Sequence, residues 1–364
     1  MRVNSRGGEV LMIGTAPEGK GGVASVVSVY RDHGLFERYG VRYVATHREG
    51  SLWTKLWCGM RGGLAIIGRL MTGHVAVVHA QVASYGSFKR KSIYLAFARI
   101  FGVPTVFHLH GAEFKKFTDE LASPRLRRWI VRTLQSSNEV VALSDSWADY
   151  LRKIAPGVRV RAIANPVYLP PAVSFEQEEQ GRLLFLGRAE QRKGIFDLLE
   201  AFALLLEHCP HARLAIGGDG DLGSVRARVT ELGIDAQVEV LGWVSGGTKQ
   251  AQMARAQVFV LPSYDEGLPM AMLEAMALAK PVVVTPVGGI PEAVQHDAQG
   301  LIVQPGVVSE LEKALRSLIT DAELRRRLGD GARARVAERF STERVLAQVG
   351  ALYEALGVAP GDTP

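Results

Sequence analysis

Residues that are typical of a disulfide-bonded or metal-binding protein are scarce in this 364-residue chain. Its two cysteines, Cys58 and Cys209, lie far apart in the sequence. Two cysteines form neither a disulfide framework nor a metal cluster, so the composition favours a reducing compartment. The nine histidines include no H-x-x-x-H spacing. We therefore predict no metal site and no metal cofactor.

Long apolar runs are also lacking. The first ten residues, MRVNSRGGEV, have no apolar region of the kind that a secretory signal contains. The longest apolar stretch of the N-terminal part, GGLAIIGRLM, is interrupted by Arg69 and is too short to span a bilayer. We expect a cytoplasmic protein without a transmembrane segment.

The charge is unevenly distributed, although the formal net charge is only +6. Residues 1–170 carry 24 Lys and Arg against 11 Asp and Glu, whereas the remainder carries 19 against 26. A basic half joined to an acidic half indicates that the first half faces something negative.

Short apolar segments alternate with helical patterns along the whole chain, which predicts parallel sheets covered on both faces. In the first half we predict strands at 9–14, 41–45, 75–80, 105–110 and 139–144. Ligands bind such sheets at the carboxyl ends of the strands. Residues at or just after those ends, among them His79 and His110, are therefore candidates for a site.

A proline- and glutamate-rich segment, 168–181, interrupts this alternation and is the predicted linker. The pattern then restarts with RLLFLGR and continues through five further strands. The predicted architecture is two doubly wound domains that face each other across a cleft. We place them at 1–170 and 171–340, and we expect a C-terminal helix within 341–364 that packs back on the first domain and is followed by a short tail.

Two loops of the first half carry candidate binding groups. Gly21 and Gly22 follow the first strand and begin a helix, where the backbone can approach a ligand closely or simply form a βα turn. His110 ends a strand immediately before Gly111. A lone histidine is more often a structural hydrogen-bonding group, and its strand-end position favours a site.

The stretch PSYDEGLPMAMLEAMALAKPVVV contains two glutamates, Glu266 and Glu274, eight positions apart. Gly267 and Pro269 indicate that Glu266 lies in a loop and Glu274 in the helix that follows. The backbone at Gly267, Leu268 and Pro269 then lies at a helix N-terminus, where an anion is stabilised. A capped core helix with two incidental acids is the alternative reading.

Two cations, Arg188 and Lys193, lie near the two ends of the segment GRAEQRKG, directly after the first strand of the second half. Cations at a strand's carboxyl end can hold a diphosphate. The segment GDGDLG at 218–223 fits G-x-G-x-x-G, but its two acids would repel a pyrophosphate, so we do not predict dinucleotide binding there.

Basic residues of the first half cluster in three runs, 89–91, 114–117 and 125–132, the last two mixed with aromatic residues. This composition suits a surface that touches anionic lipid headgroups. A solvated charged face is the simpler reading. No nucleic-acid-binding motif is present, so we predict no nucleic-acid partner.

These motifs together resemble those of retaining glycosyltransferases of the large GT-B-fold family 4. The resemblance rests on GKGG, NPV at 165–167, GRAEQRKG, GDGDLG, GWV and EGLPMAMLE, in that order, and covers nearly the whole chain. It implies transfer of a hexose from a GDP- or UDP-linked sugar, with retention at the anomeric carbon and usually without a bound metal.

The resemblance also implies roles for single residues. Glu266 would contact hydroxyls of the donor sugar, Glu274 the ribose hydroxyls, and His110 the reacting face of the sugar. Arg188 and Lys193 would stabilise the leaving diphosphate by fixed charge. Backbone groups complete the donor contacts, at Gly21, Gly22, Val244, Gly267, Leu268 and Pro269.

Many members of this family build lipid-linked or surface polysaccharides at the inner face of the membrane. With the basic first half, this predicts a peripheral enzyme of cell-surface polysaccharide biosynthesis that binds an anionic membrane and extends a lipid-diphosphate-linked glycan acceptor. The alternatives are an epimerase and a non-catalytic nucleotide-sugar-binding partner. For retention, front-face attack is preferred over a covalent intermediate on Glu266.

Overall fold

The chain folds into two compact α/β units. The computed structural model describes residues 8–17, 19–171 and 174–361. The first unit contains the chain up to Pro166 together with the residues from Thr342 onward, and the second contains Val167–Ser341. The chain therefore passes between the units twice, after Pro166 and after Ser341.

The first unit is built on a six-stranded parallel sheet with the order β2-β1-β3-β4-β5-β6. Its strands are β1 Glu9–Thr15, β2 Val41–His47, β3 Val75–Val82, β4 Thr105–Leu109, β5 Glu139–Ala142 and β6 Val160–Ala162. The apolar runs of β1, β3 and β4 are buried on both faces, as a sheet covered by helices on both sides requires.

Helices connect these strands. They are α1 Gly22–Asp32, α2 Leu35–Arg38, α3 Leu52–Met71, α4 Gly86–Ile100, α5 Phe114–Lys116 with a π-helical turn at Phe117–Leu121, α6 Pro124–Gln135 and α7 Asp145–Ile154, and α15 Thr342–Ala355 returns from the end of the chain. The connections through α3, α4, α6 and α7 all advance in the same direction across the sheet. Because such crossovers are right-handed, these four helices form one layer on one face of the sheet.

The second unit repeats this plan with the strand order β12-β11-β10-β7-β8-β9, again parallel. Its strands are β7 Arg182–Leu186, β8 Arg213–Gly217, β9 Val238–Gly242, β10 Val258–Leu261, β11 Val282–Val284 and β12 Gly300–Ile302. The order reverses between β7 and β10, so the loops after these two strands diverge there and open a crevice at the carboxyl edge.

The helices of the second unit begin after the loops of that edge. A short 3-10 turn at Gln191–Lys193 precedes them, and they are α8 Ile195–His208, α9 Leu222–Glu231, α10 Gly246–Arg255, α11 Met270–Ala277, α12 Ile290–Ala293, α13 Val308–Thr320 and α14 Ala322–Arg339. The predicted split of the glutamate stretch is confirmed: Glu266 lies in the loop and Glu274 lies on α11.

The predicted position of His79 at a strand end is wrong. Strand β3 runs on to Val82, and His79 is fully buried inside the sheet. There its Nδ1 lies 2.7 Å from the hydroxyl of Tyr353 on α15. Helix α15 also contacts the first unit through Glu354, whose carboxylate accepts a 2.7 Å hydrogen bond from Tyr39.

The acidic segment predicted to be a linker packs on the second unit instead. Glu178 pairs with Lys280 at 2.5 Å, and the side chain of Lys280 is 2% exposed. Glu179 pairs with Arg182 and Arg255. Because a buried cation needs a partner, these acids hold the segment in place. Ala172 and Val173 lie outside the described residues.

The aromatic residues of the basic runs predicted to face lipid pack into the first unit instead of lying on its surface. Phe114 and Phe117 are buried in the core of the first unit, and Trp129 packs edge-on against Phe88. Lys91 is also buried, and it donates a 2.9 Å hydrogen bond to Ser87 Oγ. Burial, with the nearby charge of Arg90, lowers its pKa to about 7. Aromatic side chains gain more from the core than from solvent, so of these runs mainly the cations stay outside.

Candidate active site

The first strand of the first unit leads into a helix start that is free of acidic side chains. Gly21 precedes α1 with a φ of 119°, a value that favours glycine, and Gly22 is the first helical residue. The first turn of α1 contains no acid and its start has no side-chain cap. The amides at this start are therefore placed to receive an anion. Glu18, in the same loop, lies outside the described residues.

His110 follows β4 at the same edge of the sheet and is partly buried. Its Nε2 lies 2.5 Å from Gln81 Oε1. Burial, with the neighbouring His79 and Lys91, lowers the pKa of His110 to about 3. The ring is therefore neutral at pH 7. Because the Gln81 oxygen only accepts, Nε2 carries the hydrogen and Nδ1 is the acceptor nitrogen of the ring.

A buried network stands behind His110. The amide Nε2 of Gln81 lies 3.2 Å from His79 Nε2, and His108 Nδ1 lies 3.1 Å from the same atom. His79 Nε2 therefore accepts, and its Nδ1 donates to Tyr353. The His79 and His108 rings stack at 5.3 Å. We assign these tautomers from the hydrogen bonds, and they lock the orientation of Gln81 and so of His110.

In the second unit, the crevice between β7 and β10 brings a cation and a carboxylate together. Lys193, at the end of the loop after β7, lies 2.5 Å from Glu266 Oε1, in the loop after β10. Ser263 Oγ donates to the same oxygen at 2.8 Å. Glu266 is 5% exposed. A lysine ammonium has three hydrogens, so Lys193 keeps donors for a ligand while it holds Glu266.

Glycines let these two loops approach closely. A Cβ on Gly194, at a φ of 66°, would overlap the carbonyl oxygen of Pro262, and one on Gly288 would overlap that of Glu266. The amide of Gly289 donates to the carbonyl of Gly267 at 2.7 Å. The backbone of the Glu266–Pro269 loop is thus fixed from two sides. Leu268 is buried beside it, and Pro269 is the residue that precedes α11.

Glu274 lies on α11, just over one turn past the helix start. Lys249 on α10 donates to its Oε1 at 2.7 Å. Its other oxygen, Oε2, is buried and has no hydrogen-bond partner among the described residues. Because a buried carboxylate oxygen usually has a donor, this atom is positioned for the hydroxyl groups of a ligand.

Arg188 and Val244 lie at the same carboxyl edge of the second sheet. The side chain of Arg188 is 58% exposed, and its guanidinium faces Glu190 at 3.5 Å and Asp219 at 4.0 Å. Val244 follows β9 and packs over the Cα of Gly217, the last residue of β8. Both stand on the β8 side of the crevice, since β8 neighbours β7.

The glycine-rich segment after β8 does not offer a free helix start. Asp221 caps α9 by accepting a 3.0 Å hydrogen bond from the amide of Ser224. Hydrogen bonds from the Ser224 side chain and amide lower the pKa of Asp221. The carboxylate of Asp221 therefore already fills the acceptor position at this helix start. That the motif binds no dinucleotide stays a prediction.

The predicted site residues therefore form two groups. Gly21, Gly22 and His110 belong to the carboxyl edge of the first sheet, and the other eight belong to that of the second. Sequence reasoning missed Gln81, Lys249, Ser263 and Gly288. Only Gly288, in the pair GG after an apolar strand, carries a local signal, whereas the other three are ordinary polar residues until the fold brings them to their partners.

In the part of the chain that the structure describes, no three His, Cys, Asp or Glu side chains gather closely enough to hold a metal ion. That the reaction needs no metal stays a prediction.

Residues 5–169 match the family model described as Glycosyltransferase Family 4, and residues 171–335 match the one described as Glycosyl transferases group 1. The chain belongs to the family 4, group 1 glycosyltransferases. This glycosyltransferase is 31% identical over 179 residues to the uncharacterized glycosyltransferase MJ1607 of Methanocaldococcus jannaschii, a match that spans 49% of this chain and 46% of that protein. It is 25% identical over 289 residues to an alpha-D-kanosaminyltransferase of Streptomyces kanamyceticus, spanning 72% and 73%.

Solved structures show the same fold. Sucrose-phosphate synthase from Thermosynechococcus elongatus superposes with a TM-score of 0.80 at 20% identity, over 96% of this chain and 99% of the other. HepE of Anabaena, in complex with UDP-glucose, superposes with a TM-score of 0.77 at 19% identity, over 95% and 99%. The predicted family and the predicted GT-B fold of two Rossmann-like domains are confirmed.

Proposed function

We propose that this glycosyltransferase moves a hexose, with retention, from a nucleotide-diphosphate sugar to a lipid-diphosphate-linked glycan acceptor. The observation that carries the proposal is the Lys193–Glu266 pair at the switch point of the second sheet, 2.5 Å apart. There a cation for phosphate and an acceptor for sugar hydroxyls lie side by side. The second unit would supply most of the contacts to the donor, and the first unit would bind the acceptor.

The residues of the second group would contact the donor in a fixed order, from its base through the ribose and the diphosphate to the sugar. The unpartnered oxygen of Glu274 would accept from the ribose hydroxyls, and the backbone near Val244 would meet the base. Lys193 and Arg188 would contact the diphosphate, and Glu266 the sugar hydroxyls. Gly21 and Gly22 would add amide donors, and Gly267, Leu268 and Pro269 backbone contacts. His110 would offer its Nδ1 as an acceptor to a sugar hydroxyl.

The chemistry would be electrostatic. As the bond between the anomeric carbon and the diphosphate oxygen breaks, negative charge grows on that oxygen, and the two cations stabilise it. The acceptor hydroxyl attacks from the same face, and its proton passes to the leaving phosphate. Glu266 is a poor candidate for a covalent nucleophile, because its Oε1 is already engaged by Lys193 and Ser263.

UDP is the first nucleotide to test, since HepE was solved with UDP-glucose. Thermal unfolding of the whole protein with UDP, GDP, ADP and CDP should show a rise in Tm for UDP that grows with its concentration, because a ligand of the native state stabilises it. A larger shift with GDP would reassign the base. No shift with any nucleotide diphosphate would refute the proposal.

The diphosphate assignment has its own test. Arg188→Ala should lower turnover of the intact donor by about a hundredfold, since one lost charge contact in a transition state costs about 3 kcal/mol. The double variant with Lys193→Gln should abolish turnover. Arg228→Ala, which removes a surface pair with Glu200 at 2.8 Å, is the control and should remain active. Undiminished turnover in the double variant would contradict the assignment.

A further inference from the structure

Helix α3 has a second apolar face that the described part of the chain leaves exposed. One face is buried in the core through Ile66 and Leu70. The opposite side carries six large exposed side chains, namely Trp53 82%, Leu56 51%, Trp57 65%, Met60 58%, Leu64 73% and Met71 71%. At about 100° per residue these six lie within a stripe about 100° wide and about 27 Å long. The helix is therefore apolar on two sides, which a helix in contact only with water avoids.

The neighbouring helix continues this surface. Ile93, Phe97 and Ile100 on α4 and Phe101 after it are 46%, 37%, 77% and 44% exposed. Helices α3 and α4 are in contact, since the Tyr94 hydroxyl donates to the Gly59 carbonyl at 2.9 Å. Both belong to the same helix layer of the first sheet, because their crossovers share one direction. An exposed apolar surface of this extent marks an interaction site.

The charge of three helices of that layer indicates the partner. Helices α3, α4 and α6 contain eleven Lys and Arg residues and no Asp or Glu. Nearly all of these cations reach the surface at least in part, Lys55, Arg61, Lys89, Arg127 and Arg128 among them, whereas Lys91 is buried. Arg61 lies directly beside the apolar stripe, at about 80° from Trp53 around the helix axis. An apolar stripe beside three helices whose charged residues are all cations fits a surface that is apolar inside and negative at its boundary.

We propose that α3 lies in the plane of an anionic membrane surface and inserts the stripe from Trp53 to Met71 between the lipid headgroups, while the cations of α3, α4 and α6 contact the phosphates. This inference deepens the proposed lipid-linked acceptor and rests on that proposal. Among the described residues no helix is long and apolar enough to cross a membrane. An in-plane helix needs only one inserted face, and tryptophan favours the boundary between lipid and water.

The first experiment measures binding. The whole protein is sedimented with vesicles of phosphatidylcholine alone and of phosphatidylcholine with 30% phosphatidylglycerol. We expect pelleting with the anionic vesicles that weakens in high salt. The variant Trp53→Ser/Trp57→Ser/Leu64→Ser should lower the partition coefficient at least tenfold, because these side chains supply the inserted area. Leu204→Ser, an exposed apolar position of the second unit at 43%, is the matched control.

The second experiment locates the inserted face. Brominated lipids should quench tryptophan fluorescence in the wild-type protein, and Trp53→Phe/Trp57→Phe should lose most of the quenching yet still bind, because Phe keeps the apolar area. Equal pelleting of the wild type and the triple Ser variant would overturn the proposal. The proposal would also be overturned if the wild type did not bind vesicles and formed a dimer, while the triple Ser variant was a monomer. The stripe would then be an interface between copies of the chain.

The test is independent of the proposed donor chemistry. The triple Ser variant changes only side chains that are at least 65% exposed, so its nucleotide-induced rise in Tm should equal that of the wild type. Loss of vesicle binding with an unchanged nucleotide shift supports the inference. An absent nucleotide shift in both proteins refutes the proposed function and leaves the membrane result to be judged by itself.

Discussion

The two glutamates of the Pro262–Val284 stretch have different surroundings. Glu266 is held by a lysine and a serine in a crevice between two strands. One oxygen of Glu274 accepts from Lys249, and the other has no hydrogen-bond partner within the described ranges of the chain. The first arrangement suits a group whose charge is fixed beside the reacting sugar. The second suits a group that only binds.

Glu274→Gln should therefore raise the donor KM about tenfold with little change in kcat, whereas Glu266→Gln should lower kcat about a hundredfold. The physical reason is that a contact made equally in ground and transition states affects KM alone. Steady-state kinetics with the intact donor measures both constants. Glu338→Gln, which weakens the 3.2 Å pair of an exposed glutamate with Arg335, is the control. A kcat effect confined to Glu274→Gln would reverse the two roles.

The histidines behind His110 predict a dependence of stability on pH. Burial lowers the pKa of His79 to about 3 and that of His108 well below its usual value. In the unfolded chain both titrate near 6.5. The unfolded state therefore binds more protons below that pH, so this stability is complete above pH 6.5 and is lost as the pH falls toward the folded values.

Between pH 7.5 and 5.5 each of these two histidines should lower the free energy of unfolding by about 1 kcal/mol. Urea unfolding at several pH values measures this slope. His108→Asn should remove the contribution of one histidine, about 1 kcal/mol, from the loss of stability between pH 7.5 and 5.5. This holds whatever effect the substitution has on stability at pH 7.5. An unchanged slope would mean that His108 is protonated in the native state.

At the scale of single elements, the loops of the second unit depend on glycine for two distinct reasons. Gly194 and Gly233 have nearly the same backbone angle, with φ of 66° and 67°. A Cβ on Gly194 would overlap the carbonyl of Pro262, whereas one on Gly233 would meet nothing within 4 Å. Comparing substitutions at Gly194 and Gly233 therefore separates two losses of stability, one from the backbone conformation and one from the lost contact between loops.

Gly233→Ala should cost about 1 kcal/mol of stability, the usual penalty of a left-handed conformation for a residue with a Cβ. Gly194→Ala should cost at least about twice as much and also weaken nucleotide binding, because the loop that carries Lys193 must move away from the Glu266 loop. Urea unfolding and nucleotide titration measure the two effects. Equal stability losses would show that the loops do not need this contact.

The elements themselves were largely predictable, because apolar runs between glycine-rich turns specify buried parallel strands. Strand β10 and the division of the glutamate stretch at Pro269 agree with the prediction. The orientation of aromatic side chains was not predictable. Phe114 and Phe117 fill the core, while Trp53 and Trp57 face outward. Composition does not distinguish these pairs, since burial depends on which neighbours the fold supplies.

At the scale of the whole chain, α15 belongs to a different unit from the residues that precede it. Val345, Val349, Leu352 and Tyr353 are buried in the first unit. Tyr353 accepts the hydrogen of His79, a group that would otherwise be buried without a partner. The end of the chain therefore completes the core of the unit formed by its beginning.

A chain that ends at Ser341 should lose hydrogen-exchange protection in β3 by at least a hundredfold, because a Tyr and three aliphatic side chains leave the core and each costs on the order of 2 kcal/mol or more. Amides of β10, in the second unit, should keep theirs. A chain that ends at Gly361 is the control. Unchanged protection of β3 would show that α15 is dispensable.

The sequence by itself determined the α/β class and the two domains, because these follow from local periodicity. Its motifs, each made of residues close together in the chain, carried the resemblance to the family. Only the tertiary structure decided which groups meet. Lys193 and Glu266 are 73 positions apart, and Gln81 and His110 are 29 apart. Strand order brings such residues together, and no local pattern records strand order. The same holds for α3, which is apolar on two sides. Only the tertiary structure decided which of the two sides is buried in the core and which is exposed.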